Sequence, residues 1–242
     1  MNQPIAGYLV LSTFISTANQ QLRDAFAMFS QAGIQDLIVD LRYNGGGLVS
    51  TANLFASLLA GPGSTGLTFS STEFNSANAM QNVSTSFSAE ANAITLNRIV
   101  FITTGSSASA SELVINGLEP YFTGAREVAS VGSATFGKPV GQSGFEFCNS
   151  SKLLRAVTFR TTNVNGVGDY FNGLPVDCAA GDDLTRLLGD VNENMLATAI
   201  SYIQNGSCPT SVVRNIAGTT QQAFKAASIE QGTTAQRLLK AY

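Results

Sequence analysis

The stretch Ile34–Gly61, "IQDLIVDLRYNGGGLVSTANLFASLLAG", decides the fold class of this chain. It opens on a short, nearly continuous apolar run, Ile34–Arg42, the pattern of a strand covered on both faces. A glycine turn follows, "YNGGGL", and then a helical pattern, "STANLFASLLAG". The preceding residues repeat the order. "IAGYLVLSTF" (5–14) reads as a strand, and "TANQQLRDAFAMFSQAG" (17–33) as an amphipathic helix. That helix carries Leu22, Phe26 and Phe29 on one face, with Gly33 past its end. Strand, helix, strand, helix predicts a parallel α/β core.

Working outward, residues 61–96 are rich in Ser and Asn with scattered aromatics. They read as an insertion with some strand and helix, since Phe69, Phe74 and Phe87 need somewhere to pack. The α/β pattern resumes with a strand, "RIVFITT" (98–104), and a helix, "SASELVINGLEPYF" (109–122). Residues 126–147 read as strands broken by glycines, and 152–166 as a strand and turn. "DDLTRLLGDVNENMLATAISYIQNG" (182–206) predicts a short helix and a longer one. The organisation expected is a core over 1–205, containing the 61–96 insertion, and a helical C-terminal tail over 206–242.

The 242 residues suit one domain with a small appendage. Charged residues make up only 12%, against about 25% in average usage. The net charge of −3 and the pI near 4.9 exclude a nucleic-acid partner, whose phosphates need a basic footprint. No run reaches the ~18 apolar residues of a transmembrane helix. "MNQPIAGYLV" lacks the basic start of a signal peptide, so the chain reads as cytoplasmic or as an excised domain of a longer protein. Cys148, Cys178 and Cys208 fit neither a zinc site nor a dense disulfide scaffold. In an exported protein they predict one disulfide and one odd thiol; in the cytosol, three buried thiols.

The composition also restricts the chemistry. The chain has no histidine, which removes the Ser-His-Asp triad, the Cys-His pair and histidine-ligated metal hydrolases. "GSSASASELV" (105–114) nonetheless places serines at the end of an apolar strand. With no imidazole to take a serine proton, serine chemistry remains possible with a lysine of lowered pKa as base. Lys152, Lys225 and Lys240 sit in polar or tail contexts and read as solvated side chains. Lys138 lies in "SATFGKPVGQ" between two apolar strands. It is either a snorkelling edge residue or a buried functional amine. The glycine turn after Arg42 has the wrong pattern for a phosphate loop or a dinucleotide fingerprint. It is either an oxyanion hole of backbone N–H groups or a plain tight turn.

Four segments together resemble the C-terminal processing, or tail-specific, proteases, serine peptidases that use a lysine base. They are "IAGYLVLSTFISTANQQLRDAF", "LIVDLRYNGGGLV", "GSSASASELVINGL" and "VGSATFGKPVGQ", in family order over roughly residues 5–145. The resemblance implies a ClpP/crotonase-like α/β core with β-strand extensions. It aligns Ser109 with the nucleophile, Lys138 with the general base and Gln142 with the group that orients the lysine. It maps the oxyanion donors to the N–H groups of Gly46, with Gly45 as the alternative, and of Ala110. Ser106 and Ser107 are expected to cap the following helix. Ser111 would face away from Ser109. Asp40, Arg42 and Glu112 are expected to form one structural ion-pair set beneath the site.

The activity so implied is hydrolysis of peptide bonds in extended segments that pair with a strand edge, near C-termini and without a metal or cofactor. Two alternatives share the fold: a non-catalytic binder of hydrophobic ligands, and a crotonase-type acyl-CoA enzyme. No segment resembles the PDZ domain many members carry, so substrate capture would need residues upstream of this chain. The family and the low charge together place the protein in an exported, periplasmic or extracellular, setting.

Overall fold

The computed structural model describes residues 6–209. The tail expected over 206–242, with Lys225 and Lys240, therefore lies almost wholly outside the described residues. In chain order the elements are β1 (Ala6–Val10), α1 (Ala18–Ala32), β2 (Asp36–Asp40), α2 (Val49–Ala60), β3 (Thr68–Phe74) and β4 (Val83–Ser86). These are followed by β5 (Arg98–Thr103), α3 (Ala110–Leu118), β6 (Glu127–Gly132), β7 (Val140–Phe147), β8 (Lys152–Thr162), β9 (Cys178–Ala179) and α4 (Asn194–Asn205).

The first sheet runs β1-β2-β5-β6-β9, every pair parallel. Period-two alternation explains why its strands read as continuous apolar runs. Leu37 and Val39 of β2, with Ile99 and Phe101 of β5, enter the larger core with Leu22, Phe26, Phe55 and Leu58 of α1 and α2. Ile38, Val100 and Ile102 point to the opposite face and pack with Met195, Leu196 and Ala199 of α4. Gly33 ends α1 in the left-handed conformation, its N–H bonded to the carbonyls of Phe29 and Ser30.

The second sheet is antiparallel, in the order β4-β3-β8-β7. The segment expected as an insertion thus supplies half of it, with Ser71–Phe74 of β3 paired to Phe159–Thr162 of β8. Its aromatics do find packing partners: Phe69 contacts Phe87, and Phe74 contacts Phe159. Among the described residues no helix is long and apolar enough to cross a membrane.

The short helix expected at the start of Asp182–Gly206 does not form; residues 184–190 are turns and irregular chain. Asp183 accepts from the Thr185 N–H, and Asp190 from the Asn192 N–H. These local bonds compete with helical ones, and Gly189 adopts a φ of 88°. The cysteines resolve as a Cys178–Cys208 disulfide and a free, exposed Cys148. The crosslink closes a loop of sequence separation 30 that contains α4. Replacing Cys208 with serine is expected to cost about 3 kcal/mol. Chemical denaturation of the two proteins under non-reducing conditions measures it.

Candidate active site

The carboxyl ends of neighbouring strands carry the site, as is usual in open α/β sheets. The glycine turn leaves β2, the serine-rich loop leaves β5, and the Lys138 loop leaves β6. These strands are adjacent in the sheet, so three segments remote in sequence meet at one edge. Ser109, Ala110, Lys138, Gln142 and Gly47 line one cavity of about 220 Å³.

Ser109 stands directly before α3 with φ 56° and ψ −112°. A non-glycine residue in that region stores strain, which a folded chain tolerates only where surrounding contacts impose it. Here they are plain. The Ser109 N–H donates to Glu112 Oε2 at 2.8 Å. On one side, Ala108 N–H donates to the Asn44 carbonyl at 3.0 Å. On the other, Ser111 Oγ donates to the same carbonyl at 2.9 Å. Ser111 is therefore buried structural mortar facing away from the cavity. The expected capping role of Ser106 and Ser107 does not hold, because α3 begins three residues after Ser107. Ser107 Oγ instead donates to the Leu41 carbonyl at 2.7 Å and accepts from the Thr104 N–H. It stitches the serine loop to the end of β2.

Gly46 has φ 99° and lies against the serine turn. A Cβ there would fall 2.7 Å from the Ala110 nitrogen and 2.8 Å from Ser109 Cβ. Glycine is thus required by close backbone approach as well as by its φ. Its N–H, however, donates to Asn44 Oδ1 at 2.9 Å. The donor expected from Gly46 is already engaged in this structure. Gly47 lines the cavity, whereas Gly45 does not appear among its walls. Gly47 bridges Phe14 in parallel fashion, with Phe14 N–H bonded to the Gly46 carbonyl and Leu48 N–H to the Phe14 carbonyl. Such a bridge turns the polar groups of Gly47 away from Phe14. Sequence reasoning overlooked both Asn44 and Gly47; Asn44 stood inside the quoted motif without a role.

Glu112 also corrects an expectation. It does not join Asp40 and Arg42. Arg42 pairs with Asp40 at 2.7 Å, with Glu193 at 3.0 Å and with Asp182 at 3.5 Å, tying the glycine turn to the residues before α4. Glu112 is fully buried and accepts from Thr135 Oγ1 and Gly137 N–H at 2.6 Å and from Lys138 N–H at 2.8 Å. With the Ser109 N–H, one carboxylate holds the backbone of both the serine and the lysine.

Lys138 is half-buried, and burial pushes its ammonium below the ordinary lysine value, an effect the Glu112 charge opposes. Among the described residues no hydrogen bond joins Ser109 Oγ to Lys138 Nζ. Gln142 Oε1 is buried and has no hydrogen-bond partner there. The cavity is thus lined by a lysine whose pKa burial lowers, a strained serine, a buried amide acceptor and the first turn of α3, whose positive dipole end favours negative charge.

This architecture is the ClpP/crotonase-like α/β core with an antiparallel extension, the fold of the S41 proteases. The sequence model of peptidase family S41 matches residues 5–177, and the chain belongs to that serine-type family. Over 188 residues, 78% of the chain, it is 29% identical to a Staphylococcus epidermidis protein named as a CtpA-like serine protease, of which the match covers 36%. It is 30% identical over 167 residues to the chloroplastic C-terminal processing peptidase of Tetradesmus obliquus, covering 67% of this chain and 33% of that one. A crystal structure from Bacteroides fragilis, assigned to the S41 proteases, superposes with a TM-score of 0.75 at 26% identity, over 83% of this chain and 54% of that one. The photosystem II D1 C-terminal processing protease shares the fold, with a TM-score of 0.58 at 22% identity over 73% of this chain and 42% of that one. The chain therefore spans about a third of the length of the curated relatives it matches.

Proposed function

We propose that the chain is the catalytic core of a serine endopeptidase acting through a Ser109–Lys138 dyad on extended polypeptide segments, near their C-termini. The observation that carries this reading is the strained Ser109 sharing one cavity with a half-buried Lys138. Neutral Lys138 takes the proton of Ser109 as Oγ attacks the scissile carbonyl. The amide oxygen of Gln142 accepts from Nζ and aims its lone pair. The Ala110 N–H, with that of Gly47 in place of Gly46, holds the tetrahedral oxyanion. Lys138 then protonates the leaving amine, and water resolves the acyl-enzyme. Apo sites of this kind are often looser than their substrate complexes, which accommodates the absence of a Ser109–Lys138 hydrogen bond.

The cavity is smaller than the ~300–1,000 Å³ of small-molecule pockets, which weighs against a hydrophobic-ligand binder. The Cys178–Cys208 disulfide supports an extracytoplasmic setting.

The test is the pH dependence of Ser109 phosphonylation by a fluorophosphonate, in which Oγ displaces fluoride from phosphorus, followed by mass spectrometry. Only the neutral amine accepts a proton, so the rate should rise with pH through a single ionisation below 10.5, the ordinary lysine value. Lys138→Met should leave a slow, flat profile. Cleavage of an unfolded protein that survives unchanged in both Ser109→Ala and Lys138→Ala would overturn the assignment.

A further inference from the structure

Strand β7 leaves the cavity as the edge of the antiparallel sheet. Its first residues, Val140–Gln142, are cavity walls, and its sole partner in the sheet is β8. Beyond Gln142 the strand continues for five residues, about 17 Å at strand rise. Register places Ser143, Phe145 and Phe147 on one face, opposite Ala156, Leu154 and Lys152 of β8. That face is open: Phe145 is 49%, Phe147 51% and Leu154 54% exposed. Gln142 and Gly144 lie on the other face, opposite Val157 and Arg155, and it is the face that lines the cavity through Gln142 and Arg155.

Edge strands usually carry lysine, proline or bulges that discourage pairing. β7 has one such irregularity, between Gly141 and Gln142; beyond it the strand carries two exposed phenylalanines and a single charge, Glu146. Among the described residues nothing pairs with its outer edge, which leads to the cavity past the irregularity at Gly141/Gln142. An added strand would pair with that edge, and its alternate side chains would cover Phe145 and Phe147.

We propose that the outer edge of β7, from Gln142 to Phe147, is an extended substrate-holding site. It takes a polypeptide segment outside the scissile region as an added strand, with apolar side chains at every second position. Continuity with the cavity identifies the occupant: a chain paired to β7 is delivered along the strand to Ser109. The inference rests on the peptidase reading for its biological meaning, but its binding step can be tested without catalysis.

The experiment uses the Ser109→Ala chain and two fluorescein-labelled 12-residue peptides of identical composition, read by anisotropy. In one peptide valine and serine alternate; in the other they form two blocks. The alternating peptide should bind at least about tenfold more tightly. The double variant Phe145→Ser/Phe147→Ser should abolish that preference, with thermal unfolding run to show that the fold persists. Equal binding of the two peptides, which needs no further variant, overturns the proposal. So does a preference that survives the double variant. A dimer in solution that the double variant dissociates, with peptide binding unaltered, would make a second copy the occupant and likewise overturn it. Period-two binding in a chain whose Ser109 resists phosphonylation would uphold the β7 site and reject the peptidase reading.

Discussion

Replacing Ser109 with alanine is expected to lower peptide hydrolysis by about a thousandfold or more, leaving only the contribution of binding and backbone donors. The same position tests the backbone. Its φ of 56° and ψ of −112° are imposed by Glu112 below and by the Asn44 carbonyl, which receives bonds from both Ala108 and Ser111. Glycine reaches that conformation without strain. Ser109→Gly should therefore be as inactive as Ser109→Ala but more stable than it by about 1–2 kcal/mol. Urea denaturation of the two variants measures the difference. Equal stabilities would show that the turn is not strained and would remove the main geometric support for Ser109.

The second large effect is expected at Glu112. Its two oxygens accept only from donors: Thr135 Oγ1 and Gly137 N–H on one, Ser109 N–H and Lys138 N–H on the other. Glutamine has nearly the same shape, yet its NH2 group cannot accept. In Glu112→Gln the NH2 group faces either the Gly137 N–H and the Thr135 hydroxyl or the N–H groups of Ser109 and Lys138, at about 1–3 kcal/mol for each donor left unpaired. The expected outcome is a loss of about 2–5 kcal/mol. Because this carboxylate fixes Ser109 and Lys138 relative to each other, kcat should fall far more than KM rises. Denaturant titration and steady-state kinetics on an unfolded substrate provide both readouts. A loss of stability at unchanged kcat would assign Glu112 to the fold alone.

Both predictions depend on contacts that differ in how readable they were. The α/β core was legible because a parallel sheet with both faces covered needs apolar residues at consecutive positions. Asp36–Asp40 and Arg98–Thr103 show that run plainly. The helices of the core were legible from their apolar faces and from Gly33. Misreadings concentrated where a local pattern competed with side-chain bonds. The aliphatic spacing of Leu184, Leu187, Leu188 and Val191 suits a helix. Asp183 and Asp190 instead capture nearby N–H groups, and Asp182 is drawn to Arg42. Ser107 looks like a cap in one dimension and is a cross-brace to Leu41 in three.

The chain's own residues determined the fold class and the kind of base available. Strand periodicity demands two covered faces, and a chain without histidine rules out an imidazole base. Tertiary structure alone decided which backbone donors are free, because hydrogen bonds are shared out among segments that sequence spacing cannot relate. The N–H of Gly46 goes to Asn44, and Gly47 lines the cavity. Glu112 leaves the expected ion-pair set to join the serine and lysine loops. Cys178 pairs with Cys208 while Cys148 stays exposed. The glycine turn and Glu112 follow from the sheet order that sets the ends of β2, β5 and β6 side by side, and the disulfide from the packing of α4 beside β9; a turn's dihedrals and a carboxylate's partners are settled by neighbours tens of residues away.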